Sequence, residues 1–555
     1  MELLDSRRLT GANAVCDCAA AVIDVALDDG EFEQVVAAWQ KQVRQLLDAV
    51  GWHEQRTFVR RCDGGASLAI SAPIDALYAA TDINDVAWEM LSGDATDFDA
   101  AVKTLRQAID EESSPGLLQL EAAARSLGQV FLSDDDDVSI GLGTGSKTWS
   151  VAALPDPDDI NWQELHGIPV GLVTGTNGKT TSVRLAAAVA RAAGLHVGYS
   201  STDCLVVDQT IVDHGDYAGP GGARTTLRHP QVEIAILETA RGGLLRRGIG
   251  VPSASAALIT RIARDHIGDF GSRNLEELLD AKWVVTRALG DDARLVLNAD
   301  DPLLVARAAQ SPVPVVWFSL DIDSPIIQKH IKKHGSAWAF DGESLCVSEQ
   351  GAAWKKIVRA DAIPLTLNGA ALYNVGNALG VAALTACLGI NHDAIVSGLC
   401  SLGPDDNPGR GNLFDINGVK VLVDFAHNPD AFRAIVDLAG RLPAKRKLIA
   451  FGEAGDRTDE LIQDLATTAW QLQPDRVITL EIEKYARGRD RGEIRMLLHR
   501  RFAQIGARKD QLTHHETEID ALQDSLAWAE PGDLIILLSL AEQPAILGQL
   551  QKMAN

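Results

Sequence analysis

The chain has little of what would place it in a membrane, on nucleic acid or in an oxidising compartment. No uninterrupted apolar run approaches the roughly 20 residues of a membrane-spanning helix. The opening MELLDSRRLTGANAV lacks the long apolar core of a secretory signal, so a cytoplasmic protein is expected. Basic side chains are scarce beside acidic ones, 51 Lys and Arg against 76 Asp and Glu. The resulting net charge of −25 argues against a general affinity for nucleic acid or an anionic membrane surface, but leaves room for a local basic pocket. The seven cysteines are scattered. Cys16 and Cys18 form the only close pair, and no second Cys/His pair stands at zinc spacing, so reduced thiols are expected rather than a metal or disulfide framework. Internal repeats and low-complexity tracts are also missing.

What is present is ordinary globular material, 46% hydrophobic and 23% charged, enough for about three or four domains. Residues 1–165 read as an α+β unit. AAAVIDVALD (19–28) is expected to be a strand, and DFDAAVKTLRQAID and GLLQLEAAARSLGQ have helical spacing on either side of Ser113-Ser114-Pro115-Gly116. The run Asp134 to Asp137 reads as a solvated turn. GLGTGSKTW (141–149) imitates a phosphate loop, yet no clear helix follows before Pro155, so a hairpin is expected. From 166 to 403 strands and helices alternate, with VEIAIL, AALIT, ARLVLN and PVVWF as apolar runs, which predicts a parallel sheet covered on both faces. GPDDNPGRG (403–411) reads as a joint. Residues 404–555 read as a second, smaller α/β domain able to move about it, with strands VKVLVDFA, KRKLIAFGE, DRVITL and GDLIILL.

The most informative stretch is GLVTGTNGKTTSVRL, 171–185. An apolar strand breaks at Gly175 and a helix is expected to start near Lys179. Such a turn aims backbone N–H groups and the positive end of a helix dipole at one point. Gly175, Thr176, Asn177, Gly178, Lys179, Thr180 and Thr181 form this cradle; Lys179 reaches the β- and γ-phosphates of a nucleotide and the Thr180 hydroxyl suits Mg²⁺. Only the shorter Gly175-x-x-Gly178-Lys179-Thr180 is present, because Val173 stands where the longer phosphate-loop pattern has glycine. Glu238 follows VEIAIL, and Asp265-His266 follow AALITRIAR, so both fall at strand ends beside the cradle, where a carboxylate binds Mg²⁺.

TGTNGKTT, LETARGG, TRIARDHIGD, DAKW, LNADDP, ALYNVGNAL, NPGRGNLF and VDFAHNPDAF together resemble the Mur ligase superfamily, from about residue 168 to near the C-terminus. The resemblance implies an α/β, Mur ligase-like architecture: an N-terminal α+β domain, a central ATP-binding domain and a C-terminal Rossmann-like domain. It implies ATP and Mg²⁺ as cofactors, with Thr180 and Glu238 on one metal ion and His266 on a second. Lys282 falls where many members carry a carbamylated lysine, although an ordinary helix lysine is the alternative. By the same resemblance Asn298 contacts adenine, and Asn374 and Asn377 lie near the nucleotide or serve the helix structurally. Tyr373 stands where many relatives have His. Arg410 is assigned to the phosphates or to a salt bridge of the joint, Asp424 to the ribose, and His427 to the neighbourhood of the nucleotide. Asp456 and Arg457, at a strand end, are candidates to face substrate.

Within the superfamily, ILETARGGLLRRGIG, NPGRGNLFDINGVKVLVDFAHNPDAF, GEAGDRTDE and RGRDRGEI resemble the ligase half of the cyanophycin synthetases. RRLTGAN, VIDVALDDGEFE and LGTGSKT resemble segments of their opening part. Those enzymes carry an ATP-grasp domain next, where this chain has only residues 149–173 before the cradle, which implies one ligation centre rather than two. The expected activity is ATP-dependent amide formation: a carboxylate acceptor, an acidic amino acid or peptide among the candidates, becomes an acyl phosphate that an amine or amino acid captures, releasing ADP and phosphate. Self-association is implied by the same relatives. A γ-glutamyl ligase of the folylpolyglutamate or poly-γ-glutamate type is the alternative within the class. A P-loop kinase or nucleotide switch is the alternative outside it, and a catalytically silent scaffold a third. Arg241, Arg246 and Arg247 either hold a carboxylate-rich acceptor or are solvated loop charges.

Overall fold

The computed structural model describes residues 1–28, 30–93, 97–265, 274–455 and 457–554. Four sheets organise them. The first is antiparallel, in the spatial order Glu2–Leu9, Ala20–Ala26, Gly65–Ser71, Thr57–Cys62. Its apolar face is covered by the helices Phe32–Val50 and Leu77–Ser92 around the buried Trp39, whose indole N–H donates to Asn84 Oδ1 at 2.9 Å. The expected helices over 98–112 and 115–126 are present as Phe98–Glu112, capped by Asp97, and Pro115–Ser126.

The GLGTGSKTW segment turns between Asp137–Ile140 and Lys147–Ser150, which pair antiparallel as a hairpin. No α-helix follows before the strand Val170–Thr174, only short 3-10 turns. The hairpin turn docks instead on the central domain, where Thr144 N–H donates to Val232 O at 2.8 Å.

The central sheet has eleven strands. Its middle is parallel as expected, running Val197–Ser200, Ile234–Glu238, Val170–Thr174, Ala254–Ile259, Leu289–Asn298, Val315–Ser319, Ala337–Phe340. Both flanks depart from the all-parallel expectation. Cys204–Val207 and Thr210–His214 extend one edge, and Ser344–Ser348 and Lys355–Arg359 the other, all antiparallel. The connections explain this. Asp208 (φ 54°) and Gly342 (φ 94°) supply left-handed residues to turns too short for a helical crossover, and such turns reverse the chain.

Strand Val170–Thr174 lies at the sheet centre and feeds the helix Lys179–Ala192, which is buried along most of its length against Leu372–Cys387 and His392–Ser401. The strand is apolar throughout because both faces are covered.

The third domain carries a six-stranded sheet. Arg410–Ile416 pairs antiparallel with Val419–Asp424, followed by the parallel strands Leu534–Leu538, Lys447–Gly452, Arg476–Leu480 and Leu512–His515. The joint is anchored to the phosphate-loop helix: Asn407 is buried, donates to Thr181 Oγ1 at 3.2 Å, and accepts from Arg184 at 3.2 Å. No helix among the described residues is long and apolar enough to cross a membrane.

Candidate active site

The loop Gly175–Gly178 leaves the central strand and enters the helix through two glycines that no other residue can replace without displacement. Gly175 has φ +146°, and a Cβ there would stand 1.9 Å from Thr260 Oγ1; Gly178 has φ +85°, and a Cβ would stand 2.3 Å from Asn377 Oδ1. The neighbouring strand end clamps the loop from outside. Thr176 N–H donates to Arg261 O at 2.7 Å, and Thr260 Oγ1 donates to Asn177 O at 2.6 Å. Gly178 is the helix N-cap and has no side chain to cap the first turn, so the N–H groups of that turn are left for a ligand.

Glu238 is the last residue of its strand, at the C-terminal end as expected, and is 2% exposed. Its carboxylate accepts from Thr180 Oγ1 at 2.9 Å and from Thr202 Oγ1 at 2.6 Å. A hydroxyl and a carboxylate held together beside the uncapped N–H groups of a helix start form a hard-oxygen donor set of the kind Mg²⁺ prefers. Thr202 escaped the sequence reading. Its only signal was a polar residue just after the strand Val197–Ser200.

Two lysines fold onto the same turn. Lys179 Nζ donates to Thr176 O at 3.1 Å and Lys282 Nζ to Gly175 O at 3.0 Å. Lys282 is 4% exposed, on the helix Leu275–Trp283, so it is not a surface lysine. Burial, reinforced by the charge of Lys179, holds its amine well below the usual lysine range. A neutral amine is the form that adds CO₂. His266 and Asp456 lie outside the described residues.

Asp265 is the meeting point of the two large domains. From the C-terminal side it receives Arg457 Nη2 at 3.2 Å, His427 Nε2 at 3.6 Å and Asn428 Nδ2 at 3.4 Å. The tip of the phosphate loop is held the same way: Asn177 Nδ2 donates to Asn428 Oδ1 at 3.1 Å and to Asp430 Oδ2 at 3.0 Å, while Arg261 pairs with Asp430 at 3.2 Å. Asn428 caps the helix Pro429–Arg441, so a helix start and the cradle face each other. Burial alone would lower the His427 pKa, but Asp265 and the Phe425 carbonyl outweigh it and raise it.

Asp424 ends the strand Val419–Asp424 and is buried. Burial pushes its carboxyl up to about 6, with Arg410 pulling the other way. Arg410 stacks over Phe425 at 4.6 Å. The buried Tyr373 hydroxyl lies beside Asp424 without a hydrogen-bond partner among the described residues, as does Arg410 Nε. Polar atoms left open next to a carboxylate suit ligand hydroxyl and phosphate oxygens. Asn374 donates to Leu365 O at 2.7 Å and accepts from Asn377 at 3.0 Å, so it orders the helix that presses on Gly178. Asn298 donates to Thr260 O at 3.1 Å and accepts from Asp300 N–H at 2.9 Å, engaging both ends of its amide within the protein.

The residues 176–181, Glu238, Lys282, Asp265, Arg410, His427 and Arg457 line one cleft of about 1190 Å³, while Asp424, Tyr373, Asn298, Asn374 and Asn377 are not among its lining residues. Its far wall carries Arg7, Arg8 and Tyr78 of the N-terminal domain together with Arg241, Arg246 and Arg247. Sequence reading missed Arg7, Arg8 and Tyr78, which only the tertiary fold brings to the cleft. Arg8 stacks on the Tyr78 ring at 3.5 Å, and Arg7 is fixed by Asp24 at 2.6 Å.

Two family profiles match in order along these domains: "Mur ligase middle domain" over residues 173–385 and "Mur ligase, glutamate ligase domain" over 409–539. The chain carries the middle and C-terminal domains of the Mur ligase superfamily. It is 35% identical over 374 residues to the cyanophycin synthetase of Geminocystis herdmanii, a match covering 67% of this chain and 42% of that one. With the Synechocystis enzyme of the same name it is 37% identical over 328 residues, 59% of this chain and 37% of the relative. The chain thus spans under half the length of these relatives. A diaminopimelate-adding muramoyl-peptide ligase of Geobacter metallireducens is 28% identical over 302 residues, covering 52% and 56%. Among solved structures, E. coli FolC in complex with DHPP and ADP superposes with a TM-score of 0.51 at 18% identity, covering 70% of this chain and 89% of that one. MurF of Acinetobacter baumannii gives 0.50 at 15%, covering 69% and 77%. At such identities the structures show a shared fold.

Proposed function

We propose that the chain is an ATP-dependent ligase that joins a carboxylate to an amine through an acyl phosphate and releases ADP and phosphate. Its working units in this reading are residues 1–165, 166–403 and 404–555. The observation that carries the reading is the meeting of two domains on one phosphate loop, through Asn177 with Asn428 and Asp430, and through Asp265 with Arg457. A kinase or nucleotide switch would use the cradle and Glu238, but would leave the Asp424, Arg410 and His427 group and buried Lys282 without a task.

The chemistry follows from charge. A carboxylate resists attack by an amine because oxide is a poor leaving group, and phosphorylation replaces it with phosphate. ATP and carboxylate are both anionic, so their approach is opposed by repulsion. Lys179 and Arg410 neutralise the phosphates, and the helix N-terminus stabilises charge that grows on the transferring group. Mg²⁺, held by Thr180 and Glu238 with His266 and carbamylated Lys282 as further ligands, would supply additional charge neutralisation. Asp424 and Tyr373 bind the ribose side of the nucleotide. Contact between the domains around Asp265 excludes water, which otherwise hydrolyses an acyl phosphate.

The arginine-lined wall supports an acid-rich carboxylate partner, and the similarity to cyanophycin synthetases supports an acidic amino acid or peptide in that role. The test is ADP release that requires both a carboxylate and an amine, screened over amino acids and acidic peptides. Turnover of ATP with neither would favour the switch.

A further inference from the structure

Glu453 stands at the carboxyl end of the strand Lys447–Gly452, on the C-terminal wall of the cleft. It is 3% exposed, and among the described residues its carboxylate accepts one hydrogen bond, from the N–H of Ala454 at 2.8 Å. A buried carboxylate held by a single neutral donor is costly unless a counter-charge arrives. Arg457 and His427 act on it only through their charge, since the ion pairs they make among the described residues are with Asp265.

The loop that carries Glu453 is braced. Gly455 N–H donates to Tyr485 O at 2.7 Å, and Arg489 donates to the carbonyls of Gly455 and Arg457 at 2.8 and 2.6 Å. A Cβ at Gly455 would stand 1.9 Å from Ala486 O, which keeps the turn tight. Helix capping does not account for the carboxylate either, because the following helix, Asp459–Trp470, is capped by Thr458. A rigid, buried, under-partnered acid therefore faces the space between the nucleotide cradle and the domain joint.

We propose that Glu453 receives the ammonium group of the amine substrate and takes its proton as the nitrogen becomes a nucleophile. This rests on the ligase reading above. The proton of R–NH₃⁺ passes to the Glu453 carboxylate, and the freed lone pair forms the C–N bond at the acyl-phosphate carbon. The tetrahedral intermediate collapses with cleavage of the C–O bond to phosphate, which leaves with the electron pair; the second nitrogen proton departs with it. Burial pushes the Glu453 carboxyl up to about 7, opposed by the Ala454 N–H, Arg457 and His427 and reinforced by Asp265. Arg487 and Tyr485 face the same space from the adjoining loop. A base with that affinity takes a proton at neutral pH and can release it to solvent before the next turnover.

Hydroxylamine, uncharged at neutral pH, separates the two halves of the reaction because it traps an acyl phosphate as hydroxamate without surrendering a proton beforehand. Wild-type protein and Glu453→Gln are given ATP, Mg²⁺ and aspartate, glutamate or acidic dipeptides, with either hydroxylamine or a panel of L-amino acids. The variant should form hydroxamate at the wild-type rate while amide formation falls on the order of 100-fold. In wild-type protein, kcat/KM for the amino acid should rise as pH rises through about 7, while hydroxamate formation should not. Wild-type amide formation by Glu453→Gln overturns the proposal, as does parallel loss of both reactions in a folded variant. Should the variant fail to fold, the wild-type pH comparison decides, and identical profiles overturn it. Absence of hydroxamate from wild-type protein contradicts the ligase reading itself, a result distinct from any failure of Glu453.

Discussion

The Thr180 hydroxyl donates to a Glu238 carboxylate oxygen at 2.9 Å, tying the first turn of the phosphate-loop helix to the end of the adjacent strand. Both groups are buried, and Thr202 holds the second carboxylate oxygen at 2.6 Å. Glu238→Gln keeps the shape and removes the charge that a divalent cation needs. Its kcat should fall roughly 100-fold, and a Mg²⁺ titration of ADP formation should shift to higher concentration with little change in melting temperature. An unchanged Mg²⁺ requirement would remove Glu238 from the metal site.

Lys282 gives a second prediction. Its buried, deprotonation-prone amine lies against Gly175 O and beside Lys179. Lys282→Ala should lower kcat by roughly 1000-fold, and added acetate or formate should restore part of the rate by replacing the carbamate oxygens. An active alanine variant would refute the assignment.

Asp430 tests the contact between domains. It accepts from Asn177 and pairs with Arg261, both of the central domain. Loss of one charge-assisted bond costs about 1.5 kcal/mol, roughly a factor of ten in rate if closure accompanies catalysis. Asp430→Ala should therefore reduce kcat by about that factor, and proteolysis around residues 403–409 should accelerate. Wild-type kcat together with wild-type resistance to protease would show that this contact does not couple the domains.

The pH dependence of stability has a definite sign. Burial raises the carboxyl of Asp424 from 3.8 to about 6 and that of Glu453 from 4.5 to about 7. A raised carboxyl stabilises the fold below its unfolded value, and that contribution is lost as pH rises through the folded value. Raised His427 acts in the same direction. Nucleotide-free protein should therefore lose stability from the two carboxyls between about pH 4 and 7, and from His427 as pH rises above its ordinary value of 6.5. Asp424→Asn should melt above wild type at pH 8, by an amount on the order of 3 kcal/mol, and the gap should narrow at pH 5. A constant gap would contradict the buried-acid account.

The cradle was legible because one short stretch encodes strand, turn and helix together; Val170–Thr174 and Lys179–Ala192 lie where the apolar run and the helix-forming run put them. Apolar strands of both α/β domains were legible for the same reason. The antiparallel flanks were not, because Thr210–His214 and Lys355–Arg359 are edge strands with largely exposed residues and little apolar pattern. Arg410–Ile416 was not read as a strand because it begins inside the Pro-, Gly- and Asp-rich stretch 403–411, which announced only a joint. Lys179, Glu238 and Lys282 stood out within their motifs, whereas Asn428, Asp430 and Glu453 lie inside quoted motifs without a local sign of their role, and Thr202 lies outside them; all four acquire meaning from groups distant in sequence. Asn177 and Asp430 are 253 positions apart, and no local periodicity announces such a pair.

The most direct measurement of the central claim labels both oxygens of the substrate carboxylate with ¹⁸O and follows them during amide formation. Transfer through an acyl phosphate requires one labelled oxygen to appear in inorganic phosphate for each amide made, and that is the predicted result. Amide formed with unlabelled phosphate would contradict the account.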